Sequence, residues 1–206
     1  MTYNITEVTS YDHKRNKVTL DYGEVTFLLY KGECRSLHIV PGETGILEDA
    51  AYQTIMKEIL LPRAKKKIMY YLKNADKTRS QIRQKLKEGF YPDAVIDETF
   101  AFLDKYGFAD DGHYAEEYIS SQRGLRSRRE IEMKLMQKGI RGSELKDFLS
   151  EISEEEEYAA CDRLLRKKYS GPIEPENYRK AYAYLAGKGF SPNMIQRAVR
   201  ALQEDA

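Results

Sequence analysis

The sequence predicts a mainly α fold: tandem three-helix repeats, three units forming an elongated array, preceded by a small N-terminal β-hairpin or antiparallel strand segment. Three observations carry this. Residues 1–40 are rich in β-branched and aromatic residues, with a turn signal between two runs. From about residue 43 the apolar residues switch to helical spacing. Gly89-Phe90, Gly139-Ile140 and Gly189-Phe190 recur 50 residues apart, each pair between two amphipathic stretches.

The strands come first. Val18-Thr19-Leu20-Asp21-Tyr22 and Val25-Thr26-Phe27-Leu28-Leu29-Tyr30 read as two strands joined by a tight turn at Tyr22-Gly23-Glu24. Ile5-Thr6-Glu7-Val8 supplies a third, and Leu37-His38-Ile39-Val40 a short fourth, closed by Pro41-Gly42. A connecting helix follows over 43–62, and Pro62 breaks it or opens the next helix at its first position.

Beyond Pro62 the helices are read from apolar stripes. Val95, Ile96, Thr99, Phe100 and Leu103 form one; Tyr158, Cys161, Leu164 and Leu165 another; Ile195, Val199 and Leu202 a third. Each recurring glycine suits the left-handed position just past a helix end, with the next apolar residue packing back on that helix. Each unit is then a long helix, a short helix, a glycine turn and a third helix. The division is 1–42 strands, 43–62 connecting helix, and repeats over 63–111, 112–156 and 157–206. Stacked units are expected to share a continuous core. The registers differ: Ile82 lies seven residues before Gly89, and Ile131 eight before Gly139.

Composition narrows the function classes. With 34 basic and 33 acidic residues the net charge is only +1, so the molecule is no polycation. Two cysteines, Cys34 and Cys161, cannot make a disulfide framework or a metal cluster and read as buried thiols of a reducing compartment. No stretch approaches ~18 consecutive apolar residues, and no targeting segment is legible, which points to the cytoplasm. Asp110-Asp111-Gly112-His113 superficially resembles a ligand cluster but reads as a helix cap. Gly187-Lys188-Gly189 reads as a helix stop, not a phosphate loop. No nucleophile elbow, P-loop or dinucleotide fingerprint is present, so neither catalysis, cofactor nor metal is expected.

Charge is segregated along the chain. Residues 63–88 hold ten basic and two acidic residues, and 122–141 seven and two. Residues 93–117 hold eight acidic and one basic, and 143–157 seven and one. A basic flank attracts phosphate, and an acidic one suits a basic protein surface. Either run also suits a solvated face. Tyr70 and Tyr71 offer rings for base stacking, with at least one of them expected in the core. The stretch from Ser80, a candidate cap, through Gly89 and Pro92 to Asp111 has the outline of a helix–turn–helix. Its second helix carries Asp93, Asp97 and Glu98, which oppose a major-groove position.

Taken together, the chain resembles the RecX family of bacterial recombination regulators. The resemblance rests on Ala64 to Leu72, on Arg79-Ser80-Gln81-Ile82-Arg83 through Glu88-Gly89-Phe90, and on Phe102-Leu103 through Gly107-Phe108-Ala109-Asp110-Asp111 to Tyr114-Ala115. It continues through Arg129-Glu130 to Leu135 and Lys138-Gly139-Ile140, and more loosely through Ala181 to Leu185 and Lys188-Gly189-Phe190. A residue missing before Gly89 and a longer insert after Tyr169 depart from the pattern. The resemblance implies a monomeric modulator that binds the RecA filament on single-stranded DNA. It would mostly inhibit the filament's ATPase, recombinase and co-protease activities and so regulate DNA repair in the SOS response. The charge argument carried onto that reading places Lys65, Lys66, Lys67, Arg79, Arg83, Lys85, Lys87, Arg126, Arg128, Arg129 and Lys134 toward DNA in the filament. The acidic helices then face RecA. A stand-alone DNA-binding helical-repeat protein, with weak duplex binding, and a protein-only scaffold are the other readings.

Overall fold

The repeats are set by one turn, used three times. In the computed structural model, which describes residues 1–204, the backbone N–H groups of Tyr91, Ile140 and Phe190 donate to the carbonyls of Leu86, Leu135 and Leu185 at 3.2, 3.0 and 3.3 Å. These are six-to-one bonds of the Schellman type, and each needs a left-handed residue just before the donor. Gly139 and Gly189 fill that position with φ of 91°, but in the first repeat it is Phe90, at φ 55°. Gly89 is therefore not the left-handed residue of its turn. Aligned on Phe90, Gly139 and Gly189, the registers agree: Ile82, Ile131 and Ala181 are all buried, as are Tyr91, Ile140 and Phe190. The apparent slip of one residue in the sequence comes from aligning on the wrong glycine.

The described chain forms two compact units, Met1–Asp110 and the residues from Asp111 onward. In the first, β1 (Thr2–Ser10), β2 (Arg15–Leu20), β3 (Val25–Tyr30) and β4 (Gly45–Glu48) make an antiparallel sheet of order β3-β2-β1-β4. The β2–β3 turn has Asp21, Tyr22 and Gly23 at positive φ. The fourth strand is Gly45–Glu48 and not Leu37–Val40, and the helical stretch starts after it. A short helix, α1 (Lys31–Ser36), takes the chain off the sheet, and His38 follows at φ 54°. Residues 37–40 then lack the extended run a strand needs, although Ile39 still enters the core.

A continuous helical stretch follows: α2 (Asp49–Gln53), a π-type turn over Thr54–Leu60, then α3 (Leu61–Leu72). Pro62 does not break the stretch; it stands in the first turn of α3, one residue past the expected first position. Proline lacks an N–H and crowds the carbonyl four residues back. The chain widens just before it, the N–H of Leu61 donating five residues back to Met56, and so passes Pro62 without a break. Next come α4 (Arg79–Lys87) and α5 (Asp93–Lys105). The cap of α4 is Thr78, whose hydroxyl accepts from Gln81 N–H while Gln81 Oε1 accepts from Thr78 N–H. Ser80 lies inside the helix. Val18, Phe27 and Leu29 of the sheet share one apolar core with Leu60, Ile68, Ile82, Leu86 and Leu103 of the helices. The strands thus pack on the first repeat.

The second unit comprises α6 (Asp111–Gln122), α7 (Arg128–Gln137), α8 (Ser143–Ser150), α9 (Glu154–Lys168), α10 (Pro175–Gly187) and α11 (Pro192–Glu204). It contains two cores. Ile119, Ile131, Leu135 and Leu149 form one; Cys161, Leu165, Leu185, Ile195 and Val199 the other. The expected continuous core is absent among the described residues, because the three helices of each repeat already close on their own apolar stripes. The insert after Tyr169 contributes Ile173 to the last core. The second and third repeats are instead bonded by polar groups: Ser127 Oγ donates to the Lys188 carbonyl at 2.6 Å, and Arg128 N–H to Glu157 Oε1 at 2.9 Å. Cys34 and Cys161 are buried free thiols.

Candidate nucleic-acid interface

The basic residues of the first unit sit on α3 and α4, and most are engaged. Arg79 forks onto Asp104, with Nη2 3.2 Å from Oδ2, and its guanidinium lies 4.7 Å from the Phe100 ring centre. That hydrogen bond holds the Asp104 carboxyl below its ordinary range. Arg83 donates to Asp97 at 3.1 Å and lies over the same ring at 5.0 Å. Lys87 reaches Asp93, and Lys85 reaches Glu88, each at 3.4 Å. The segregation of charge in the sequence is thus largely resolved by pairing: basic α4 lies against acidic α5. Two of the acids that oppose a major-groove position, Asp93 and Asp97, are the partners. Lys65 stands 4.9 Å over Phe102 and Lys67 5.3 Å over Tyr91, while Lys66 is exposed. Tyr70 is exposed and Tyr71 packs on the core, one ring on each side of the expectation.

In the second unit Arg126 bonds Gln122 at 2.7 Å and pairs with Glu130. Arg128 donates to the Ile152 carbonyl and pairs with Glu157 at 3.4 Å. Arg126 is thus engaged within its own repeat, and Arg128 ties the second repeat to the third. Arg129 and Lys134 differ: both are exposed, and neither has a carboxylate partner among the described residues. They line a groove of about 470 Å³ between α7 and the end of α10, with Met133, Gln137 and the Ala186 to Gly189 segment. Gly189 permits this approach, since a Cβ there would lie 3.0 Å from that of Arg129. The groove's carboxylate, Glu130, is taken by Arg126. Lys188 adds a third cation that sequence reasoning passed over as part of a helix stop. The signal was the lysine before each of the last two recurring glycines, Lys138 and Lys188.

The acidic run Glu154 to Glu157 has local work. It fills the first turn of α9, where negative charge opposes the helix dipole. Glu156 accepts from Ser153 N–H at 2.8 Å, which holds its carboxyl below the ordinary range, and Glu157 receives Arg128. Among the described residues no helix is long and apolar enough to cross a membrane.

Three-helix units closed by a common turn, beside a small antiparallel sheet, define a helical-repeat protein. Models of the first and third three-helix domains of RecX match residues 64–103 and 154–199. A regulatory protein RecX of Clostridium acetobutylicum is 28% identical over 206 residues, covering 95% of this chain and 94% of that one. These matches make the chain similar, over most of its length, to the RecX family of regulatory proteins. The RecX of Clostridium perfringens strain 13 is 29% identical over 163 residues, 77% of each chain. A crystal structure of a regulatory protein RecX shares the fold, with TM-score 0.64 at 23% identity, over 97% of this chain and 99% of that one. The RecX of Lactobacillus salivarius does so with TM-score 0.59 at 23% identity, over 69% and 96%.

Proposed function

We propose that this chain binds the RecA filament on single-stranded DNA and modulates it, mostly by inhibiting its ATPase, recombinase and co-protease activities. It acts as a cytoplasmic monomer, without catalysis or cofactor of its own, and so regulates DNA repair. The observation that supports this best is the groove beside α7, where Arg129 and Lys134 are exposed and, among the described residues, have no ion-pair partner. Such a groove suits a phosphate backbone. In the first unit, taken by itself, exposed Lys66 with Lys65 and Lys67 of α3 offers further basic residues. The exposed acids face the recombinase. Inhibition then requires tighter binding to one filament state than to another.

A stand-alone DNA-binding helical-repeat protein is the second reading, favoured by the same groove. Co-sedimentation separates the two. The proposal expects the chain to pellet with preformed RecA filaments more strongly than it binds naked single strands. Equal retention on naked DNA favours the second reading.

A further inference from the structure

Gly89 has no left-handed backbone to explain it, yet a Cβ there would lie 2.6 Å from Lys67 Nζ and 2.8 Å from Cε2 of Tyr91. The glycine makes room for an ammonium group held against a ring. Among the described residues Lys67 has no ion-pair partner. Burial first, then the charges of Lys85 and Arg15, pull its ammonium below the ordinary lysine value, with Glu88 opposing. Glu88 itself is bonded to Lys85 at 3.4 Å. A half-buried cation that meets mostly other cations is under-neutralised, and an anion relieves it.

The sheet supplies the rest. Lys17 of β2 stands 5.4 Å over the Phe90 ring. Arg15, two residues earlier and so on the same face of the strand, lies 5.1 Å over Tyr11. The Tyr11 ring meets that of Phe90 edge-on at 5.6 Å and stays 46% exposed. The carboxylate beside Arg15, Asp12, is already bonded to it. Four cations, Arg15, Lys17, Lys67 and Lys85, therefore share two engaged carboxylates and interleave with Tyr11, Phe90 and Tyr91. Cations take phosphates, and an exposed ring takes an unstacked base, a combination that fits a single strand and not a duplex.

We propose that this face, where β2 meets the Phe90 turn and α3, binds single-stranded nucleic acid, with Lys17 and Lys67 on phosphates and Tyr11 under a base. The site deepens the proposed function, on which it rests only for the choice of DNA as the strand. It gives the N-terminal sheet a part in binding.

The test uses the full chain and a labelled oligothymidylate, without recombinase, by fluorescence anisotropy between about 50 and 200 mM salt. Lys17→Gln with Lys67→Gln should weaken binding and lower the slope of log K against log salt by about 1.4, at ~0.7 per phosphate. Lys17→Gln alone, a change on the strand surface, should lower it by about half as much. Tyr11→Leu should weaken binding with the slope unchanged. Thermal unfolding at the wild-type midpoint verifies each fold. An unchanged affinity and slope in Lys17→Gln, or no binding by the wild type at the lowest salt, overturns the site. Either result leaves filament inhibition, measured separately with recombinase, to stand or fall by itself.

Discussion

The hydroxyl of Ser127 donates to the carbonyl of Lys188 at 2.6 Å and accepts from the N–H of Glu130 at 3.1 Å. One side chain thus caps α7 and bonds the turn that closes α10, joining two repeats whose apolar cores are separate. Ser127→Ala removes both bonds at a buried position. A loss of about 1–2 kcal/mol is expected in urea unfolding. A loss below about 0.5 kcal/mol would show that the bond does not stabilise the pair of repeats.

Two glycines in the same turn should respond with opposite signs. Gly189 is at φ 91°, and a Cβ there would lie 2.9 Å from Ser127 Oγ. Gly189→Ala should destabilise by about 1–2 kcal/mol. Gly187 is helical, and a Cβ there meets nothing within 4 Å. Gly187→Ala should stabilise by about 0.4–1 kcal/mol through the unfolded chain. Denaturant midpoints that move in the same direction would contradict this account of the turn.

The turn also shows what was legible in the sequence. Helix, glycine and helix recurring at a near-constant spacing revealed the repeats, because a left-handed stop leaves a compositional mark. It misplaced the first stop by one residue, because Phe90 adopts a conformation that sequence patterns assign to glycine. The fourth strand was missed because Gly45–Glu48 is short and pairs only with β1, a partner distant in sequence. The basic residues were visible, but their partners were not. Arg79 with Asp104 and Arg128 with Glu157 are pairs made by the fold. Only the structure separates them from Arg129 and Lys134.

The thiols should be silent in the native state. Burial, then the charges of Asp162 and Glu157, push the Cys161 thiol up to about 12, and burial raises Cys34 as well. A thiolate is the reactive form. Aromatic disulfide reagents at neutral pH should release no product until denaturant is added, and then two equivalents per chain. Rapid reaction of the folded protein would contradict the burial of both.

Acid should act on the β1–β2 turn at low pH. The hydrogen bond from Arg15, then that from Lys14 N–H, lower the Asp12 carboxyl to about 2. The unfolded value is near ~3.9. A depressed carboxyl contributes stability above the unfolded value and loses it as pH falls through the folded one. The Asp12 side-chain resonance should therefore titrate near pH 2 and move up in Arg15→Gln. A wild-type midpoint at the ordinary aspartate value would contradict the pairing.

The most direct test of the central claim is the steady-state ATPase of the cognate RecA on excess single-stranded DNA, titrated with this chain. Excess DNA excludes competition for free strand. The expected result is inhibition at substoichiometric amounts, lost in Arg129→Glu with Lys134→Glu while that variant unfolds at the wild-type midpoint. An ATPase unchanged at equimolar chain would contradict filament modulation.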